Sequence, residues 1–150
     1  MANTYTNLLF HIVFSTKGRQ PLIRSGMRDE LYAYIGGIIR GERGTLLEIG
    51  GMPDHIHLLV RLKADVSVAD MLRRIKSHSS KWANERPERN MRFQWQTGYS
   101  AFTVSESQAA TVRRYIREQE PHHRGRSFRE ELTALLRKHG IEFEERFLDD

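Results

Sequence analysis

The fold is decided by the stretch TLLEIGGMPDHIHLLVRL, residues 45–62. Two apolar runs, residues 45–49 and 55–62, flank a turn rich in Gly and Pro, and this pattern predicts a β-hairpin. Because side chains alternate along a strand, His55 and His57 share one face while Ile56 points to the other, into the core. The hairpin therefore places two imidazoles side by side on a sheet.

The elements around the hairpin continue the alternation of strands and helices. Apolar runs predict strands over residues 5–15 and 93–104, the latter with Gly98 as a bulge or bend. Helical spacing of apolar residues predicts helices over residues 26–42 and from Ser67 to residue 84. Ser105 and Ser127 each precede a Gln or Glu by three residues, which predicts two further helix starts.

The element order is β α β β α β α followed by a terminal helix. This order favours an α+β fold, a ferredoxin-like (RRM-like) sandwich with an antiparallel sheet, helices on one face and an extra C-terminal helix. With 150 residues the chain fits a single domain spanning residues 1–150.

Composition removes several classes of chemistry. The chain has no Cys, which excludes cysteine nucleophiles, thiolate zinc sites and iron–sulfur clusters, and fits a reducing compartment. Neither a signal peptide nor an apolar run of membrane-spanning length is visible. We therefore expect a cytoplasmic protein with no membrane partner.

The positive charge is concentrated in the middle of the chain. The formal net charge is +5, and residues 67–126 hold twelve Lys and Arg against six Asp and Glu. Residues 127–150 hold four against seven, so the tail is mildly acidic. Such a distribution suits a polyanion such as DNA or RNA, and charge alone fits a solvated basic helix face equally well.

His55 and His57 are the strongest local signal for chemistry. Two imidazoles on one strand face suit a divalent metal, although the same spacing also fits two ordinary surface histidines. A zinc deaminase is excluded because it needs Cys ligands, and no H-E-x-x-H metalloprotease motif is present. A histidine-triad nucleotide hydrolase would need a third His where Leu59 stands.

A second signal lies on the helix after Ser105. Tyr115 and Gln119 are four residues apart and so share one face, and three arginines flank the tyrosine. A half-buried packing role is common for a Tyr in this position. Arginines, however, orient phosphoryl oxygens, and a phenol can act as a covalent nucleophile towards a phosphodiester.

Three motifs occur in a recognisable order: GMPDHIHLLV at residues 51–60, WQTGY at 95–99 and YIREQ at 115–119. Together they resemble the single-tyrosine HUH transposases of small bacterial insertion sequences, including the REP-associated tyrosine transposases. The resemblance spans nearly the whole chain, from FHIVFSTK at residues 10–17 to SFREEL at 127–132.

The resemblance implies a metal-dependent DNA strand-transfer enzyme. His55 and His57 would be metal ligands, Gln119 would complete the site, and Tyr115 would be the nucleophile. Family members cleave single-stranded DNA, form a 5′-phosphotyrosine link and rejoin strands by the reverse attack. They use Mg²⁺ or Mn²⁺ and no nucleotide cofactor.

The resemblance also implies partners. Family members recognise DNA hairpins near the element ends and commonly work as homodimers, in which the tyrosine of one subunit meets the histidine pair of the other. Basic side chains would follow the DNA backbone. The expected set is Lys17, Arg19, Arg61, Arg73, Arg74, Lys76, Lys81, Arg113, Arg114 and Arg117.

The residues alone also fit two other functions and other ligand sets. A non-catalytic nucleic-acid-binding module of RRM-like fold would bind without metal, and a metal phosphodiesterase would use the two histidines without a covalent step. Glu118 or Glu120 could replace or supplement the amide ligand, with helical phase favouring Glu118. His122 and His123 would either contact phosphate or, as we expect, form a polar helix end, and His11 is expected to be structural or exposed.

Overall fold

A computed structural model describes residues 3–87 and 91–148. Its strands are β1 (Leu8–Ser15), β2 (Thr45–Met52), β3 (His55–Leu62) and β4 (Ser100–Val104). Its helices are α1 (Ser25–Gly41), α2 (Val68–Asn84), α3 (Ala109–Arg117), α4 (Gln119–His122) and α5 (Phe128–Lys138). Across these described ranges, every helix is too short or too polar to traverse a lipid bilayer.

The four strands form one antiparallel sheet in the order β2-β3-β1-β4. The predicted hairpin is present, with Gly50 opposite His57 and Met52 opposite His55. Strand β1 lies between β3 and β4, and Val13 is the partner of His57. This order, with two helical crossovers, confirms the ferredoxin-like α+β prediction.

The two faces of the sheet carry different helices. Helices α1 and α2 pack on the face that presents Ile56 and Leu58, where they bury the larger apolar cluster. The opposite face carries α3 and α5, and its smaller cluster includes Val13, Phe102 and Phe128. The predicted layer of helices on one face consists of α1 and α2. The later helices α3 and α5 cover the other face, which carries His55 and His57.

The predicted strand over residues 93–104 is correct only in its second half. Strand β4 covers Ser100–Val104, whereas the preceding segment touches the sheet through an isolated bridge between Thr16 and Trp95. This segment runs along α2 instead, because the Asn84 side chain bonds both backbone groups of Phe93 and the Trp95 indole donates to Ser79. The alternation of aromatic residues therefore reflects burial against a helix.

The predicted helix starts differ in outcome. The hydroxyls of Ser67 and Ser127 accept hydrogen bonds from the backbone N–H of the third following residue, so both caps form as predicted. Ser105 makes no such bond, and a short 3₁₀ turn (Glu106–Gln108) separates it from α3. That predicted cap is wrong, because the turn places the Ser105 hydroxyl beside the Ser107 hydroxyl instead.

Gly50 is a point of close contact between α3 and the sheet. A Cβ at this position would lie 2.3 Å from the backbone oxygen of Ile116, so only glycine permits the contact. Ile116 follows Tyr115 directly, and Gly50 is the cross-strand partner of His57. The missing side chain therefore sets how near Tyr115 can come to the histidine pair.

We expect Gly50→Ala to lower the free energy of unfolding by about 1–3 kcal/mol, because the new methyl group collides with α3 backbone. Gly37→Ala is the matched control, since a Cβ there meets nothing closer than 3.8 Å and lies in a helix. That variant should gain roughly 0.5–1 kcal/mol. Urea unfolding of both proteins checks this, and equal stabilities would contradict the close approach at Gly50.

Candidate active site and metal centre

His55 and His57 lie on one face of β3 and are fully buried. Their rings stand edge to face with centroids 5.2 Å apart. The prediction that they share a face is confirmed, and the alternative of two surface histidines is excluded by their burial. Two buried imidazoles need hydrogen-bond partners on both ring nitrogens.

The outer nitrogen of each imidazole is held by a neighbouring side chain. Nδ1 of His55 lies 2.7 Å from a carboxylate oxygen of Asp54, and Nδ1 of His57 lies 2.8 Å from Nε2 of His11. Because the Asp54 carboxylate only accepts, His55 carries its proton on Nδ1 and directs Nε2 inward. His11 is buried, as a structural residue behind His57. Such partners fix ring orientation at metal-binding histidines.

The centre of the site is the carboxylate of Glu131, which α5 places beneath the sheet with only 1% exposure. Its Oε1 atom lies 3.1 Å from Nε2 of His57 and 3.3 Å from Nε2 of His55. Its Oε2 atom accepts hydrogen bonds from the Tyr115 hydroxyl and from the Gln119 amide. One oxygen thus faces the imidazoles and the other faces the predicted nucleophile.

Tyr115 and Gln119 both reach this centre, although not on one continuous helix. Helix α3 ends at Arg117, and Gln119 begins the short helix α4. Gln119 is buried, with its Oε1 atom 3.0 Å from Nε2 of His55. The Tyr115 ring lies 5.7 Å from that of His57 in the same chain. Glu118 and Glu120 are exposed, and the carboxylate of the site comes from α5 instead.

Burial and mutual contacts shift the ionisation of the group. Burial lowers the pKa of His55, but hydrogen bonds to Asp54, Glu131 and Gln119 outweigh it and raise that pKa to about 9. Burial lowers the pKa of His57. Burial also raises the pKa of Glu131, yet hydrogen bonds from the two histidines hold it well below its usual range.

The Tyr115 phenol is neutral in this arrangement. Burial and the hydrogen bond to the Glu131 carboxylate both raise its pKa above the ordinary value. Positive charge bound at this site would oppose that shift, because it favours the phenolate.

The residues of the cluster fit a divalent metal. One ligand atom from each of His55, His57 and Glu131 lies within 4.8 Å of the others, and all three residues are buried. The Gln119 Oε1 atom adjoins them. Two imidazoles with a carboxylate and an amide oxygen form a donor set that Mn²⁺ accepts readily, whereas Mg²⁺ prefers more oxygen ligands.

A family comparison agrees with this geometry. The sequence profile described as "Transposase IS200 like" matches residues 4–119. The chain belongs to the IS200-like transposase family. The transposase of insertion sequence element IS200 from Salmonella typhimurium is 28% identical over 125 residues, covering 79% of this chain and 81% of that protein. The ISDra2 transposase TnpA of Deinococcus radiodurans is 24% identical, covering 75% and 84%.

Solved structures of transposases share the fold. A candidate transposase from Deinococcus radiodurans R1 superposes with a TM-score of 0.62 at 23% identity, covering 79% of this chain and 95% of that one. A REP-associated tyrosine transposase bound to a REP hairpin gives a TM-score of 0.59 at 14% identity, covering 83% and 73%. At these identities the likeness concerns the fold.

The basic residues predicted to contact DNA divide between the two faces of this transposase. Arg113, Arg114 and Arg117 lie on α3 beside Tyr115, and two of them pair with Glu48 at 3.2–3.3 Å. Lys17 and Arg19 form a 3₁₀ turn after β1. Arg19 lines an open cleft of about 680 Å³ that also includes Asp54 and His123. This part of the set adjoins the site.

The remaining basic residues lie elsewhere. Helix α2, which carries Arg73, Arg74, Lys76 and Lys81, packs on the face opposite the histidines, so these side chains do not surround the site. Lys76 instead donates hydrogen bonds to the carbonyls of Gln96, Thr97 and Gly98. Arg61 bonds Asn7 and Glu106 near the other end of β3.

Two residues of the site were not identified from sequence. Glu131 follows Phe128 by three residues and precedes Leu132, so it is a charged residue on the buried stripe of α5. That placement is unusual for an unpaired carboxylate and is the signal that could have revealed it. His123 was expected to be a polar helix end, but its Nε2 atom lies 3.0 Å from Glu131. No sequence spacing links it to β3.

We expect Lys76→Ala to lower the free energy of unfolding by about 1.5–3 kcal/mol, because hydrogen bonds from a charged donor to three backbone carbonyls are lost. Arg73→Ala is the control on the same helix, where an exposed pair with Asp70 should contribute little. Chemical denaturation compares the two. A Lys76→Ala protein as stable as Arg73→Ala would show that the ammonium does not hold this segment.

Proposed function

We propose that this IS200-like transposase cleaves and rejoins single-stranded DNA through a covalent 5′-phosphotyrosine intermediate on Tyr115. The observation that carries the proposal is one buried cluster in which the Glu131 carboxylate bonds the Tyr115 hydroxyl on one side and faces His55 and His57 on the other. A tyrosine that merely packed against the sheet would not need a carboxylate and two fixed imidazoles.

The chemistry assigned to the chain is an in-line displacement. The Tyr115 oxygen attacks the scissile phosphorus, the new bond is phenol oxygen to phosphorus, and the bond to the 3′ oxygen of the leaving strand breaks. Glu131 Oε2 accepts the hydrogen bond of the phenol and so orients the attacking oxygen. The phenol proton passes to water, and the 3′ oxygen takes up a proton from water as it leaves as a hydroxyl. That hydroxyl can later attack the phosphotyrosine, so rejoining needs no nucleotide cofactor.

The metal-dependent part of the proposal assigns the ligands to His55, His57, Glu131 and Gln119. Asp54 and His11 would hold the two imidazoles in place from outside. A bound Mg²⁺ or Mn²⁺ would supply positive charge that neutralises the phosphate and favours the phenolate. The protein itself supplies the orientation, because its donors are buried and fixed before DNA arrives.

Single-stranded DNA bearing hairpins is the proposed substrate. The solved REP-associated relative is bound to a hairpin, which supports the same partner here. The arginines of α3 and the cleft beside Arg19 place positive charge next to Tyr115, where a phosphate backbone would pass. A homodimer remains a prediction, and the site within one chain already contains Tyr115 and both histidines.

The proposal is tested with labelled single-stranded oligonucleotides that carry hairpins from the DNA flanking the gene. With Mn²⁺ present, the wild-type protein should become covalently attached to the label on denaturing gels. Tyr115→Phe should lose the adduct entirely, because the nucleophilic oxygen is gone. His57→Ala should reduce adduct formation by about 100-fold or more, as expected for loss of electrostatic stabilisation in the transition state.

Tyr34→Phe is the matched control, since this partly exposed tyrosine stacks on Trp82, away from the cluster. It should form the adduct like the wild type. A Tyr115→Phe protein that retains the adduct would refute the assigned nucleophile. Metal-independent binding without any adduct would instead indicate a nucleic-acid-binding module, and cleavage without protein-linked product would indicate a phosphodiesterase.

A further inference from the structure

His123 is the third imidazole of the cluster, and nothing in the proposed chemistry yet uses it. The side chain leaves the end of α4 and is mostly buried beside His55, with ring centroids 4.7 Å apart. Its Nε2 atom lies 3.0 Å from Glu131 Oε1 and 3.1 Å from Gln119 Oε1. The same Glu131 oxygen thus faces three inward-pointing Nε2 atoms.

The tautomer of His123 follows from its outer contact. Nδ1 lies 2.7 Å from the backbone carbonyl of Arg126, and a carbonyl oxygen can only accept a hydrogen bond. Nδ1 therefore carries the proton, and in the neutral ring Nε2 presents a lone pair. Asp54 fixes Nδ1 of His55 as a donor in the same way. In both rings the Nε2 atom is the one that faces the centre of the site.

The atoms that surround this lone pair are also electron donors. Gln119 donates through its amide nitrogen to Glu131 Oε2, so its Oε1 atom is left as an acceptor. The Nε2 atom of His123 therefore faces two oxygen acceptors, and either a proton on Nε2 or a metal ion at the centre of the site satisfies all three atoms. His55 and His57 direct their Nε2 atoms at the same Glu131 oxygen, so α4 adds a third imidazole to the two that β3 supplies.

We propose that His123 is a ligand of the same metal, so that the centre has three imidazoles rather than two. The inference rests on the metal centre proposed above and adds α4 to its ligand-bearing elements. Three imidazole nitrogens favour a borderline cation such as Mn²⁺ over Mg²⁺, which prefers oxygen. His123 would thereby decide which metal the enzyme selects.

The test measures metal binding without DNA, using Mn²⁺ and Mg²⁺ alone. We expect His123→Ala to weaken Mn²⁺ binding by more than about 100-fold, beyond the typical effect of residues that only support a ligand. Mg²⁺ binding should change far less. Pulsed electron paramagnetic resonance of bound Mn²⁺ should detect three coordinated imidazole nitrogens in the wild type and two in the variant. His78→Ala, an exposed change on α2, should match the wild type.

His123→Gln keeps a polar side chain at the site and guards against a simple packing defect. Two coordinated imidazoles in this variant, with a retained circular dichroism spectrum, would support the proposal. An unchanged nitrogen count in both variants, or equal losses of Mn²⁺ and Mg²⁺ affinity, would overturn it. A protein that binds Mn²⁺ through three imidazoles but forms no DNA adduct would refute the proposed function and leave this inference intact.

Discussion

One buried carboxylate organises this protein. Glu131 brings a negative charge under the sheet, and a charge in that position is tolerated only when it is paired and fully hydrogen-bonded. The partners come from three directions: the histidines of β3, Tyr115 of α3, and the residues of α4 that begin with Gln119. The same contacts that make burial possible therefore assemble the chemistry, since a divalent cation would need the same donors.

The sheet determines where these donors can stand. Strand alternation sends His55 and His57 to one face, and the antiparallel register places Gly50 opposite His57. Because Gly50 has no side chain, α3 can lie against the sheet at Ile116. Tyr115, which precedes Ile116, can therefore approach the histidines because the neighbouring strand has a glycine at position 50. The histidines, Tyr115, Gln119 and Glu131 meet within one chain, which belongs to the IS200-like transposases.

Local patterns predicted the parts that depend on local geometry. The hairpin and the shared face of His55 and His57 follow from period-two alternation, and the Ser127 cap follows from its spacing to Glu130. What sequence could not supply were contacts across the fold. Glu131 meets β3 only because α5 returns over the sheet, and Lys76 turns away from solvent only because a loop runs along α2. Lys76 was expected to contact DNA at the surface, but its ammonium group instead holds this loop by hydrogen bonds to backbone carbonyls.

The central claim is that the proposed strand-transfer site takes Tyr115, His55 and His57 from a single chain, and a mixing experiment tests it directly. Tyr115→Phe and His57→Ala proteins are combined, so that any shared site between subunits would regain both an intact tyrosine and an intact histidine pair. Covalent attachment of a labelled hairpin oligonucleotide is then measured in Mn²⁺. The structure predicts that the mixture stays as inactive as each variant alone. Recovery of the adduct on mixing would contradict it, because the tyrosine would then serve the partner's histidines.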